Sequence, residues 1–143
     1  MSTEQLEVTH WTPGQDEEET KVLTRDGILD LFNVMPWWKE GSFLHFPVGE
    51  DRVFQIISDN AGGLIMDVTN TKTFEYLQQH DNPDTVRDTM LAVFGQDHLD
   101  PQIERGFTPM GNLVTRQPTP WWKTIAFIIG VCLVAAVIIW FVA

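Results

Sequence analysis

Four histidines, one cysteine and 20 acidic side chains are the groups of this 143-residue chain that could hold a metal ion or move protons. Their spacing points away from both. His10, His45, His80 and His98 are scattered, without an HExxH or comparable ligand pattern, and the single thiol, Cys132, lies in an uncharged apolar run. The densest local group is Asp97-His98-Leu99-Asp100, which reads better as a solvated loop than as a metal site. Asp81 and Asp84 flank Asn82-Pro83 and suit helix capping. Gly62-Gly63 suits a turn, with no glycine-rich phosphate loop around it. The expectation is therefore no catalytic residue, no metal and no cofactor. A formal net charge of −11, with 9 basic residues and no basic stripe, disfavours nucleic acid as a partner.

A different chemistry is written in the tryptophans. Pro36-Trp37-Trp38-Lys39 is echoed by Pro120-Trp121-Trp122-Lys123. The second copy precedes Thr124–Ala143, 20 residues without a charged side chain. As a helix such a run spans about 30 Å, the hydrocarbon thickness of a bilayer. It has no polar stripe of the kind a buried core helix keeps. Trp121, Trp122 and Lys123 then suit one membrane interface and Trp140 the other, because indole rings and snorkelling lysines favour the headgroup layer. Ala126 with Gly130, and Cys132 with Ala136, put small residues at four-residue spacing, which allows a second helix to approach closely. For Trp37, Trp38 and Lys39 two readings stand: contact with a partner or the bilayer surface, or a cap over the core of a small domain.

Those residues need elements to position them. Residues 1–23 read as a disordered acidic arm: the first 20 carry six acids and no base, and Asp16-Glu17-Glu18-Glu19 repels itself. A small α+β domain is expected over 24–96. It opens with a helix from Thr24 or Asp26 to about Met35, stopped by Pro36, with Ile28, Leu31, Phe32 and Met35 on one face. Three runs, 42–48, 52–58 and 64–69, joined by short turn-rich links, predict a three-stranded antiparallel meander. Alternation places Leu44, Phe46, Val48, Phe54, Ile56, Leu64, Met66 and Val68 on its core face. Pro47 suggests that the first of these strands is an edge. Two helices follow, one over about 71–80 and one starting at Asn82-Pro83 and ending before Gly95, with Val86, Met90, Val93 and Phe94 inward. Residues 97–120, with four prolines and two glycines, read as a stalk, and 121–143 as the anchor.

The first 20 residues show no signal-peptide pattern, and Arg116 and Lys123 precede the apolar run. The expected topology is a tail-anchored, single-pass protein with its N-terminal domain in the cytosol and its C-terminus across the membrane. Together these features predict a non-enzymatic structural, accessory or recruiting subunit of a larger membrane-bound assembly. One specific form would bridge the internal membrane of a virus to its capsid. The expected partners are the lipid bilayer and other membrane-protein subunits. The alternative is a membrane-tethered enzyme or small-ligand-binding module facing the cytosol.

Overall fold

The computed structural model describes residues 4–59 and 62–112. Among these, seven strands form one antiparallel sheet in the order β2-β1-β3-β4-β5-β6-β7. The strands are β1 (Leu6–Trp11), β2 (Glu19–Leu23), β3 (Phe43–Val48), β4 (Arg52–Ser58), β5 (Leu64–Asn70), β6 (Glu75–Asp81) and β7 (Thr108–Asn112). The helices are α1 (Arg25–Val34), α2 (Pro83–Val93) and the short α3 (Pro101–Glu104). All of these elements belong to a unit that ends at Asn112.

The expected meander is the centre of this sheet. Phe46 pairs with Phe54 and Phe54 with Val68, so the alternating apolar residues of β3, β4 and β5 line up across one face. That face is the core side. Leu44, Phe46, Val48, Phe54, Ile56, Leu64, Met66 and Val68 are buried there against Ile28 and Phe32 of α1 and Val86, Met90 and Val93 of α2. Phe46 is the hub, with its ring centroid 5.2 Å from Phe54 and 5.3 Å from Phe94. Thr24 caps α1 by accepting the Gly27 N–H at 3.1 Å, and Asn82 caps α2 by accepting the Thr85 N–H at 2.9 Å.

The α+β expectation of a helix, a three-stranded meander and two helices is overturned: the described residues form a seven-stranded antiparallel sheet with few helices, and the expectation fails in four places. First, residues 6–23 are not a disordered arm but a hairpin. Leu6, Val8 and His10 alternate inward, and Val8 is fully buried. A turn closed by Gln15 N–H to the Thr12 carbonyl at 3.1 Å joins β1 to β2. The acidic run is confined to this turn and the start of β2, so its repulsion leaves β1 intact.

Second, residues 75–81 are strand β6, not a helix. Asn70 Oδ1 accepts the N–H groups of both Lys72 and Thr73, and Phe74 takes a left-handed φ of 59°. This side-chain-built turn reverses the chain where a helix was expected to start. Third, β3 is interior, between β1 and β4. Pro47 is tolerated because β1 pairs with β3 only from His45 to Phe43, leaving the missing N–H of Pro47 beyond the ladder.

Fourth, residues 97–112 are not a stalk. Leu99 and Phe107 are buried in the core, α3 lies between them, and β7 pairs with β6 through a bulge at Tyr76/Leu77. Among the described residues no helix is long and apolar enough to cross a membrane. The apolar run 124–143 and the rest of the expected anchor lie outside the described residues.

Candidate functional site: the open face of the sheet

Strand geometry puts every second side chain on the face away from α1 and α2. The register aligns these side chains in three rows. The first runs Trp11, Phe43, Ile57, Ile65 and ends at His80. The second runs Thr9, His45, Gln55, Asp67, Gln78, and the third Pro47, Val53, Thr69, Tyr76. Trp11, Phe43, Ile57 and Ile65 are half-buried.

The apolar row is ordered by stacking. The Trp11 and Phe43 rings lie 6.0 Å apart at 27°, and Phe43 and His45 5.9 Å apart at 13°. The Trp11 indole N–H donates to the Gln15 carbonyl at 3.1 Å, so the β1–β2 turn fixes the ring. The polar row is tied at both ends. Thr9 and Thr20 hydroxyls meet at 2.9 Å, and Asp67 Oδ1 accepts from Gln78 Nε2 at 2.9 Å.

Burial sets the electrostatics of this row. It pushes the His45 imidazole below its ordinary pKa, against the opposing pull of the Glu18 carboxylate. It raises the Asp67 carboxyl, against the Gln78 hydrogen bond and the charge of His80. Both groups are therefore easier to neutralise than on an open surface. His45 and Asp67 are two strands apart with Gln55 between them, about 10 Å across the sheet. That separation is beyond direct proton transfer, which needs hydrogen-bond reach. What the face offers is a partly exposed apolar ladder beside a polar ladder.

The first tryptophan pair is split. Trp37 packs on the core, its ring 5.3 Å from Phe32 at 44°, and its indole N–H donates to the Phe32 carbonyl at 2.8 Å. It is partly buried against the core. Trp38 is 82% exposed, near Lys39, which is also exposed. Trp121, Trp122, Lys123, Trp140, Ala126, Gly130, Cys132 and Ala136 lie outside the described residues.

Sequence reasoning passed over Trp11, Phe43, His45 and Asp67. The signal was present: the outward positions of the predicted strands include Phe43, Ile57 and Ile65, apolar where a solvated face would be polar.

The Asp97-His98-Leu99-Asp100 segment is divided by its own packing. Leu99 is buried, and Asp100 caps α3 by accepting the Gln102 N–H at 2.7 Å. Asp97 and His98 line a cleft of about 230 Å3 with Glu50, Asp51, Arg52 and Glu104. Its acidic side chains are partly neutralised, with Arg52 Nη2 3.5 Å from Glu104 and Lys72 Nζ 2.9 Å from Asp51. Among the described residues no group of three or more acidic, histidine or cysteine side chains is placed to hold a metal ion. Comparison with protein-family models, with curated proteins and with solved structures yields no match.

Proposed function

We propose that this is a single-pass membrane protein whose sheet domain serves as a non-enzymatic structural or accessory subunit of a membrane-bound assembly. The open face of the sheet is its contact surface. The observation that carries this reading is the row Trp11, Phe43, Ile57, Ile65: four large apolar side chains aligned on adjacent strands, partly exposed, on the face away from α1 and α2. Contiguous apolar surface of this kind marks an interaction site, and aromatic residues are enriched at such sites.

The membrane part rests on the uncharged run 124–143, bracketed by Trp121-Trp122-Lys123 and Trp140. Arg116 and Lys123 before that run favour a cytosolic position for the domain. Ala126 and Gly130 offer a second, intramembrane surface to neighbouring subunits.

The experiment is recovery of partners from native membranes in mild detergent. The full wild-type chain is compared with a Phe43→Ser/Ile57→Ser variant whose melting behaviour confirms that it folds. Defined partners retained by the wild type and lost by the variant are expected. An identical partner set for both, or extraction of the wild type from membranes by alkaline carbonate, would overturn the reading.

A further inference from the structure

The open face is nearly its own complement. β4 is the middle of the five strands that build it, with β3 and β1 on one side and β5 and β6 on the other. The polar row therefore centres on Gln55, flanked at equal distance by an imidazole, His45, and a carboxylate, Asp67. A two-fold axis lying along β4, midway between two stacked copies, reverses each row onto itself. His45 then faces Asp67 of the second copy, and Asp67 faces the second copy's His45. The same operation lays Phe43 over Ile65, Ile57 over its own equivalent, Val53 over its own equivalent, and Thr9 over Gln78.

We infer that this face is a self-association surface: two copies stack sheet to sheet about an axis along β4, each His45 paired with the other copy's Asp67. The inference rests on reading the open face as a contact surface, and it names the partner as a second copy.

Donor–acceptor complementarity selects this axis over the other one that stacked sheets allow. An axis running across the strands would set His45 over His45 and Asp67 over Asp67, placing two carboxyl groups against each other and leaving the imidazole N–H without a carboxylate to donate to. The hydrogen bond from Gln78 occupies Asp67 Oδ1, leaving Oδ2 to accept from the facing imidazole. Stacked sheets lie about 10 Å apart and rotate by about 30°, so the pairs beside β4 keep their alignment while the corners diverge. The five strands present a plane of about 24 Å by about 17 Å. Two such planes total about 800 Å2, below the standard specific interface and in the range of weak, transient contacts, which describes a readily reversible dimer.

The test uses the full chain purified alone in detergent, with its mass followed by sedimentation equilibrium. His45→Asp and Asp67→His, each shown to melt like the wild type, should raise the dimer dissociation constant about tenfold or more. The double variant carrying both should restore it. Association through the intramembrane segment would ignore this exchange.

A second readout bridges thiols with a short bismaleimide in a Cys132→Ala background. Gln55→Cys, on the axis, should cross-link, and Val22→Cys, on the edge strand β2, should not. A monomeric wild type, single variants that dimerise unchanged, a double variant that fails to recover, or equal cross-linking at both positions would overturn the proposal. A monomeric chain that still retains face-dependent partners from membranes would overturn self-association alone.

Discussion

Val8→Ala is a sharp test of whether the acidic N-terminal stretch is part of the folded domain. Val8 sits on β1 opposite Lys21, fully buried in the same cluster as Phe46 and Met90. The substitution removes two methyl equivalents, worth about 1.6 kcal/mol of burial at about 0.8 kcal/mol each. The cavity left behind in a packed sheet raises the cost to about 2–3 kcal/mol. For a domain near 100 residues, 1 kcal/mol moves the melting midpoint by about 4–8 °C. A fall of roughly 10–20 °C is therefore expected. Val22→Ala on β2 is the control: Val22 is 60% exposed, and its loss should cost within about 0.5 kcal/mol. Thermal unfolding of the full chain in detergent, followed by near-ultraviolet dichroism, measures both. A Val8→Ala shift no larger than that of Val22→Ala would refute the placement of β1 in the core.

Three further outcomes follow from the packing. Gly49 has a φ of 65°, and a Cβ there would collide with the Asp97 carbonyl oxygen. Gly49→Ala should lose about 1–2 kcal/mol from the backbone conformation alone, with the collision adding to it, as read by chemical denaturation. Burial holds the His10 imidazole below its ordinary 6.5, with Glu19 opposing and Lys21 reinforcing the shift. The unfolded chain thus binds the proton more readily, so the stability contributed is full above pH 6.5 and is lost as pH falls from there toward the folded pKa. Midpoints measured across that range should drop on acidification, and His10→Leu should flatten the slope. Trp37→Phe, which removes the hydrogen bond to the Phe32 carbonyl, should cost about 1 kcal/mol or more. Trp38→Ala should stay within about 0.5 kcal/mol; equal losses would contradict the split between the two rings.

The core is more legible in the sequence than the sheet that carries it. Leu44, Phe46, Phe54, Ile56, Met66 and Val68 obey strict alternation, and Val86, Met90 and Val93 a helical repeat, because their burial depends on local geometry alone. The hairpin at 6–23 is masked because six acids dominate its composition, although Leu6, Val8 and His10 alternate as a strand requires. Strand β6 is hidden by Gln78, Gln79 and His80, consecutive polar residues that show no apolar alternation although the strand is paired on both sides. The turn that launches it depends on one side chain, Asn70, accepting two backbone N–H groups.

The candidate face is only partly legible. Phe43, Ile57 and Ile65 are outward apolar positions of the expected meander, but Trp11 joins their row only when β1, hidden in an acidic stretch, pairs with β3.

Thiol accessibility in the native membrane reports whether the open face of the sheet is covered by a partner. In a Cys132→Ala background, a single cysteine replaces Ile57, in the middle of the open face, or the exposed Trp38, and each is labelled with a membrane-impermeant maleimide in membranes opened to expose the domain. The Ile57→Cys thiol should be protected in the membrane and react freely once detergent and dilution separate the subunits, while the Trp38→Cys thiol should react equally in both. Equal reactivity of the Ile57→Cys thiol before and after dissociation would show that nothing covers the face and would contradict the account.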